Sequence, residues 1–235
     1  MMIINCSVAA ARHLYSKAGD FFEPPEHQRR KTIQWVIHAV KIGRSTCMIA
    51  MELNTRWVHV IHKVRKGDIH GFIARLNARL INGIEWSGDD YSLFTKDEMD
   101  RSIEHYFEQH RELRFCQQTD RSVMTHIAQV CAEYQMVYRS VGAFPEDEET
   151  ALEFDLRLND TLRSKKGDTS YWTASERMLE HWLKAYMLFS DRKAQQRVNR
   201  LKRTHEESLL SVLSEAVAVV EHKDNVVHFA DYRKK

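Results

Sequence analysis

A chain of 235 residues, 43% hydrophobic and 29% charged, has room for one well-filled core or for one domain with an appendage. A net charge of +2 excludes a wholesale polyelectrolyte binder, and no apolar run reaches the roughly 18 residues of a membrane span. The first residues carry no charged n-region or cleavage site, and the four cysteines form no CxxC pair, so a reducing cytoplasm is the expected location.

In chain order, the apolar run 2–6 predicts a first strand. Ser7 then caps a helix through about Lys17, with Val8, Ala11, Leu14 and Tyr15 on one face. Pro24 and Pro25 place residues 19–30 in a loop. Residues 32–41, 46–53 and 57–64 read as strands joined by turns at Gly43-Arg44 and Asn54-Thr55, an antiparallel meander. Asp68 caps a helix ending near Gly83, with Phe72, Ile73, Leu76 and Leu80 inward. Thr95 opens another through Gln109, which buries Met99, Ile103, Tyr106 and Phe107, and residues 113–116 form a short strand.

The stretch 119–141 has the strongest pattern. Val123, Ile127, Val130, Tyr134, Val137 and Val141 recur at steps of four and three, with Met124, Cys131 and Tyr138 widening the stripe. Thr119 or Asp120 caps it and Gly142 closes it, so it is expected to be the buried helix on which the sheet packs. Leu152, Phe154, Leu156 and Leu158 alternate with Glu153, Asp155, Arg157 and Asn159, the pattern of a strand with one wet face. Residues 164–170 form a loop, and Thr173 or Ser175 opens a helix to about Phe189.

The remainder differs in character. Val198, Leu201, Ser208, Val212, Ala216 and Val219 make a narrow seam on a helix from about 192 to 221, and residues 226–229 suit an added edge strand. The expected architecture is α+β: an antiparallel sheet of about five strands packed on a central buried helix over residues 1–190, with a basic helical extension over 191–235.

Several fragments occur in a recognisable order: Met2-Ile3-Ile4-Asn5-Cys6-Ser7, His38-Ala39, Arg44, Cys47, Thr55-Arg56, Arg65-Lys66, Asp120-Arg121-Ser122-Val123-Met124 and Leu158-Asn159-Asp160-Thr161. Over about residues 2–181 this order resembles a family of short bacterial proteins of unknown function. Its members open Met-Ile-Ile-x-Cys-Thr and later carry (Asn/Asp)-Arg-Ser-Val-(Leu/Met). Ser7 stands where that pattern has Thr, and Leu162 where it has Pro. The resemblance supports the fold and brings no activity with it.

The candidate chemistry is limited. Asp120, Arg121 and Ser122 sit at a helix start, where free amides and the dipole favour an anion and Arg121 could add a forked contact. The competing reading has Asp120 capping the helix and Arg121 paired within the fold. Arg56 and Asn159 complete this candidate site because the resemblance marks both segments. His59 and His62 fall on opposite faces of a strand, His126 and Cys131 diverge around a helix, and no HExxH, GxSxG or Gly-rich phosphate loop occurs. Neither metal nor cofactor is expected. Arg192, Lys193, Arg197, Arg200, Lys202 and Arg203 could track a nucleic-acid backbone or an acidic partner, but they lack the interleaved aromatics of base stacking.

These features favour a non-enzymatic binding or accessory module that uses its C-terminal helix for a protein partner, a homodimer or a nucleic acid. The alternative is a small hydrolase or nuclease around Arg56, Asp120, Arg121 and Asn159.

Overall fold

Both tight turns of the expected meander are present. β1 (Met2–Cys6) is followed by α1 (Val8–Leu14), then by β2 (Gln34–Ile42), β3 (Ser45–Glu52) and β4 (Val58–Ile61), the last three pairing antiparallel. At the first turn Gly43 has φ 56°, and a Cβ there would collide with the Tyr138 hydroxyl. This computed structural model describes residues 1–15, 33–164 and 167–203. The 19–30 loop, the remainder of the terminal helix beyond 203 and the 226–229 strand lie outside them.

The sheet is mixed, not antiparallel throughout. Its order is β4-β3-β2-β1-β5, and β1 runs parallel to both β2 and β5 (Leu113–Cys116). A tight turn reverses direction, whereas a helical excursion lets the chain return in the same direction. The segment containing α1 makes one such connection. The long excursion through α2 (Ile69–Asp90) and α3 (Lys96–Gln109) brings the chain back to β5.

Side chains alternate across the sheet, and helices cover both faces. Ile4, Cys6, Trp35, Ile37, Met48, Ala50 and Ile61 join the larger core with α1, α2, α3 and α6 (Ala174–Ala185). On the other face Val36, Cys47, Ile49, Met51, Val58 and Val60 meet Val123, Ile127, Val130 and Tyr134 of α4 (Arg121–Val141). The expected central helix is thus a one-sided cover: Cys131 and Tyr138 are half-buried, and Val141 is exposed.

Three other expectations are corrected. Residues 152–158 are not a strand but part of α5 (Glu148–Asn159), capped by Asp147, which accepts from the Thr150 amide. Its buried positions are Ala151, Leu152, Asp155, Leu158 and Asn159, a three-and-four spacing that the alternating leucines obscured. Gly83 does not stop α2, which continues to Asp90; a Cβ there would lie 3.0 Å from the Trp57 ring and 3.4 Å from Leu152, so the glycine lets three elements approach. Phe107 and Val8, expected inside, are exposed.

The division at residue 190 coincides with no break in packing. Residues 191–203 are helical, and Ala194, Val198 and Leu201 are buried in the same cluster as Trp182 and Tyr186.

Candidate functional site

β4 is an edge strand, and edge strands leave a row of backbone groups needing partners. Asp155 and Asn159, one turn apart on α5, supply them. Asn159 Oδ1 accepts from the Val58 amide at 2.7 Å, Asn159 Nδ2 donates to the Val58 carbonyl at 3.0 Å, and Asp155 Oδ1 accepts from the Val60 amide at 2.9 Å. Two side chains of a helix thus stand in for a neighbouring strand. Asn159, a predicted site residue, is spent here.

Asp155 Oδ2 also accepts from His59 Nδ1 at 2.8 Å and from Arg79 at 2.6 Å, and Arg79 Nε reaches Glu148 at 2.6 Å. Arg75 forks onto the other oxygen of Glu148 and donates to the His62 carbonyl. His59 resembles a catalytic imidazole beside its carboxylate but cannot work as one. Its Nε2 accepts from the Trp57 indole at 2.8 Å, which requires the proton on Nδ1 and leaves no free lone pair. Burial lowers its pKa, Asp155 opposes the shift and Arg79 reinforces it, so the ring stays neutral.

The other predicted residues divide into two groups. Arg56 and Ser122 come together: the guanidinium donates to Ser122 Oγ at 3.2 Å, at the start of α4. Arg56 itself is only 3% exposed, has φ 65° and leaves Nε and Nη1 without acceptors among the described residues. Burial lowers its pKa, and Asp120 and Glu52 counter the shift. Asp120 caps α4, accepting from the Val123 amide at 2.8 Å. Arg121 points to solvent and does not join them. Beside this cluster a small cavity of about 170 Å³ is walled by Asn5, Val36, Leu53, Gln118, Thr119 and Asp120.

A larger cleft escaped the sequence reading. It lies between α2 and α5, holds about 640 Å³, and is lined by Arg75, Arg79, Glu85, Trp86, Asp89, Asp90, Glu148, Glu149 and Leu152, among others. Glu148 is taken by the two arginines; Glu85, Asp89, Asp90 and Glu149 have no cation partner among the described residues. Arg79 Nη2 lacks an acceptor among the described residues. The available signal was Glu85-Trp86 followed by Asp89-Asp90, three and four residues apart on one helix face.

Of the basic run, Lys193 reaches Glu98 and lies over the Phe189 ring, Arg197 donates to the Ser92 carbonyl, and Lys202 pairs with Glu176. Arg192, Arg200 and Arg203 are exposed. Cys6, Cys47, Cys116 and Cys131 are unpaired, and burial pushes the Cys6 and Cys47 thiols up to about 12 and Cys131 to about 11, far from the reactive thiolate range. Among the described residues no group of three His, Cys, Asp or Glu side chains could hold a metal ion, and no helix is long and apolar enough to cross a membrane.

A family model described as a domain of unknown function (DUF6933) matches residues 3–177. No curated protein and no solved structure gives a significant match.

Proposed function

We propose that this chain, which belongs to the DUF6933 family, is a non-enzymatic binding module that holds a basic segment of a protein partner in the α2–α5 cleft. The observation that carries the reading is the set of uncompensated carboxylates, Glu85, Asp89, Asp90 and Glu149, gathered around Trp86 in a space of about 640 Å³. Arginine and lysine side chains suit that lining. The carboxylates pair with their charge, and Trp86 offers a ring face to a guanidinium. Four unpaired cysteines fit work in the cytoplasm of a bacterial cell, where thiols stay reduced.

Less supports the basic helix over 191–203 as the contact for a partner, a second copy or a nucleic acid. Its apolar stripe is packed inside, and Lys193, Arg197 and Lys202 are engaged within the chain. A small hydrolase or nuclease at Arg56, Asp120, Arg121 and Asn159 also has less behind it, because Asn159 is committed to the β4 backbone and Asp120 to the helix cap.

The test is titration calorimetry of the full chain with a short arginine- and lysine-rich peptide. The expected result is saturable binding that weakens with salt and falls at least about tenfold in the triple variant Glu85→Gln, Asp89→Asn, Asp90→Asn. Equal binding by wild type and variant would remove the cleft from consideration.

A further inference from the structure

A guanidinium taken out of water is costly unless its donors find acceptors. Arg56 departs from that rule. It is 3% exposed, its Nη2 donates to Ser122 Oγ, and its Nε and Nη1 have no acceptor among the described residues. The nearby acids do not make up the deficit. Glu52 gives its carboxylate to the amides of Gln34, Asn54 and Thr55 and to the Thr55 hydroxyl, and Asp120 accepts from Val123. Arg163 and Arg177 add positive charge near Arg56, and Arg163 Nε is a further buried donor with no acceptor among the described residues. Among the described residues no carboxylate oxygen bonds the free donors of Arg56.

The unsatisfied guanidinium stands at the N-terminus of α4, a helix of 21 residues. Within the cap Asp120 takes the Val123 amide and its carbonyl takes the Met124 amide, which leaves the amides of Arg121 and Ser122 without acceptors among the described residues. Those amides, the helix dipole and Arg56 all favour an anion. We infer that Arg56, Ser122 and the first amides of α4 form a binding site for one phosphate-type oxyanion, separate from the acidic cleft.

The ligand enters from the exposed side of Ser122. Rotation of the Ser122 hydroxyl off the guanidinium frees the Nη1–Nη2 edge, which takes two oxygens in a forked contact, and the hydroxyl then donates to the same ion. A tetrahedral oxyanion has more acceptor oxygens than a carboxylate, and so matches this number of donors better. Among the described residues Asp120 and Glu52 are the acids whose charge reaches Arg56, and Arg163 and Arg177 add positive charge to the same surroundings.

Thermal unfolding and calorimetry of the full chain test the site with inorganic phosphate and with phenyl phosphate, against chloride at matched ionic strength. The expected result is a phosphate-specific rise in Tm and an affinity that drops by about tenfold to a hundredfold in Arg56→Lys, the usual worth of a charge-assisted contact. Tighter binding of phenyl phosphate identifies a phosphate monoester as the ligand; tighter binding of inorganic phosphate identifies the free ion. Should Arg56→Lys fail to fold, Ser122→Ala decides: it keeps the guanidinium and removes one hydroxyl of an exposed residue, and the loss of that hydroxyl weakens phosphate binding. No phosphate-specific response in wild type, or an unchanged one in Arg56→Lys or in a folded Ser122→Ala, overturns the proposal.

Discussion

Asp155 serves three partners from a position with no solvent exposure: the Val60 amide, His59 Nδ1 and Arg79. Replacing it with alanine takes one of two carboxylates from the buried Arg79 guanidinium and leaves His59 Nδ1 and the Val60 amide without acceptors. Breaking such a pair typically costs about 3–5 kcal/mol. Asp155→Ala is therefore expected to lower the urea midpoint by a corresponding amount or to abolish folding, whereas exposed Asp90→Asn leaves the midpoint nearly unchanged. Equal midpoints for the two variants would show that the network carries little stability. Asn159 and Arg56 were legible in the sequence as residues worth suspecting, since each lies in a segment marked by family resemblance. Asp155 was not, because the alternating pattern puts it on the wet face of a strand. Its clue was the four-residue step to Asn159 beside Leu152 and Leu158, which makes sense only on a helix. Arg121 misled for the opposite reason: adjacency to a cap says nothing about which way a side chain at the first helical position points.

At the scale of elements, the meander, α3, α4 and α6 could be read from caps and periodicity, because their polar and apolar faces agree with local propensity. Thr95 and Glu98 form a reciprocal capping box, and Asp68, Asp120 and Thr173 each accept from an amide three residues on. α5 was misread because four leucine or phenylalanine residues at alternate positions satisfy a strand pattern, while its helical face is closed by two buried polar residues that count as wet. The parallel placement of β1 was not legible at all, since nothing local records which strand a crossover returns to. The 191–203 helix looked separable because its stripe is narrow, but Ala194, Val198 and Leu201 fill the core beside Trp182. Leu201→Ala is expected to destabilise the fold by about 2–5 kcal/mol, as for other fully buried leucines, and removal of 191–235 to lower Tm in a thermal melt. A truncated chain that melts like the full one would mean that this helix is dispensable after all.

Across the whole molecule, several histidines are held neutral by the fold. Burial lowers the pKa values of His59 and His181, and takes His62 and His110 down to about 4; for His62, Arg75 and Arg79 add to the effect. Each ionises more readily in the unfolded chain, near 6.5, than in the native one. The unfolded state therefore binds more protons below that value, and stability is complete above about pH 6.5 and declines as the pH falls toward 4. Urea midpoints measured from pH 7.5 to 4 are expected to fall over this window, with a shallower slope in His62→Asn. A flat profile would mean that these rings are hydrated in solution.

The clasp that α5 lays along β4 also bears on how copies of this protein meet one another. Val58 and Val60 have already spent their outward amides on Asn159 and Asp155, so that margin cannot recruit a foreign strand while the helix is seated. Peeling away this one helix would bare a short Val-His-Val-Ile ribbon ready to zip onto its like, and heat or acid that loosens α5 first would send molecules toward clumping before the rest of the fold had let go.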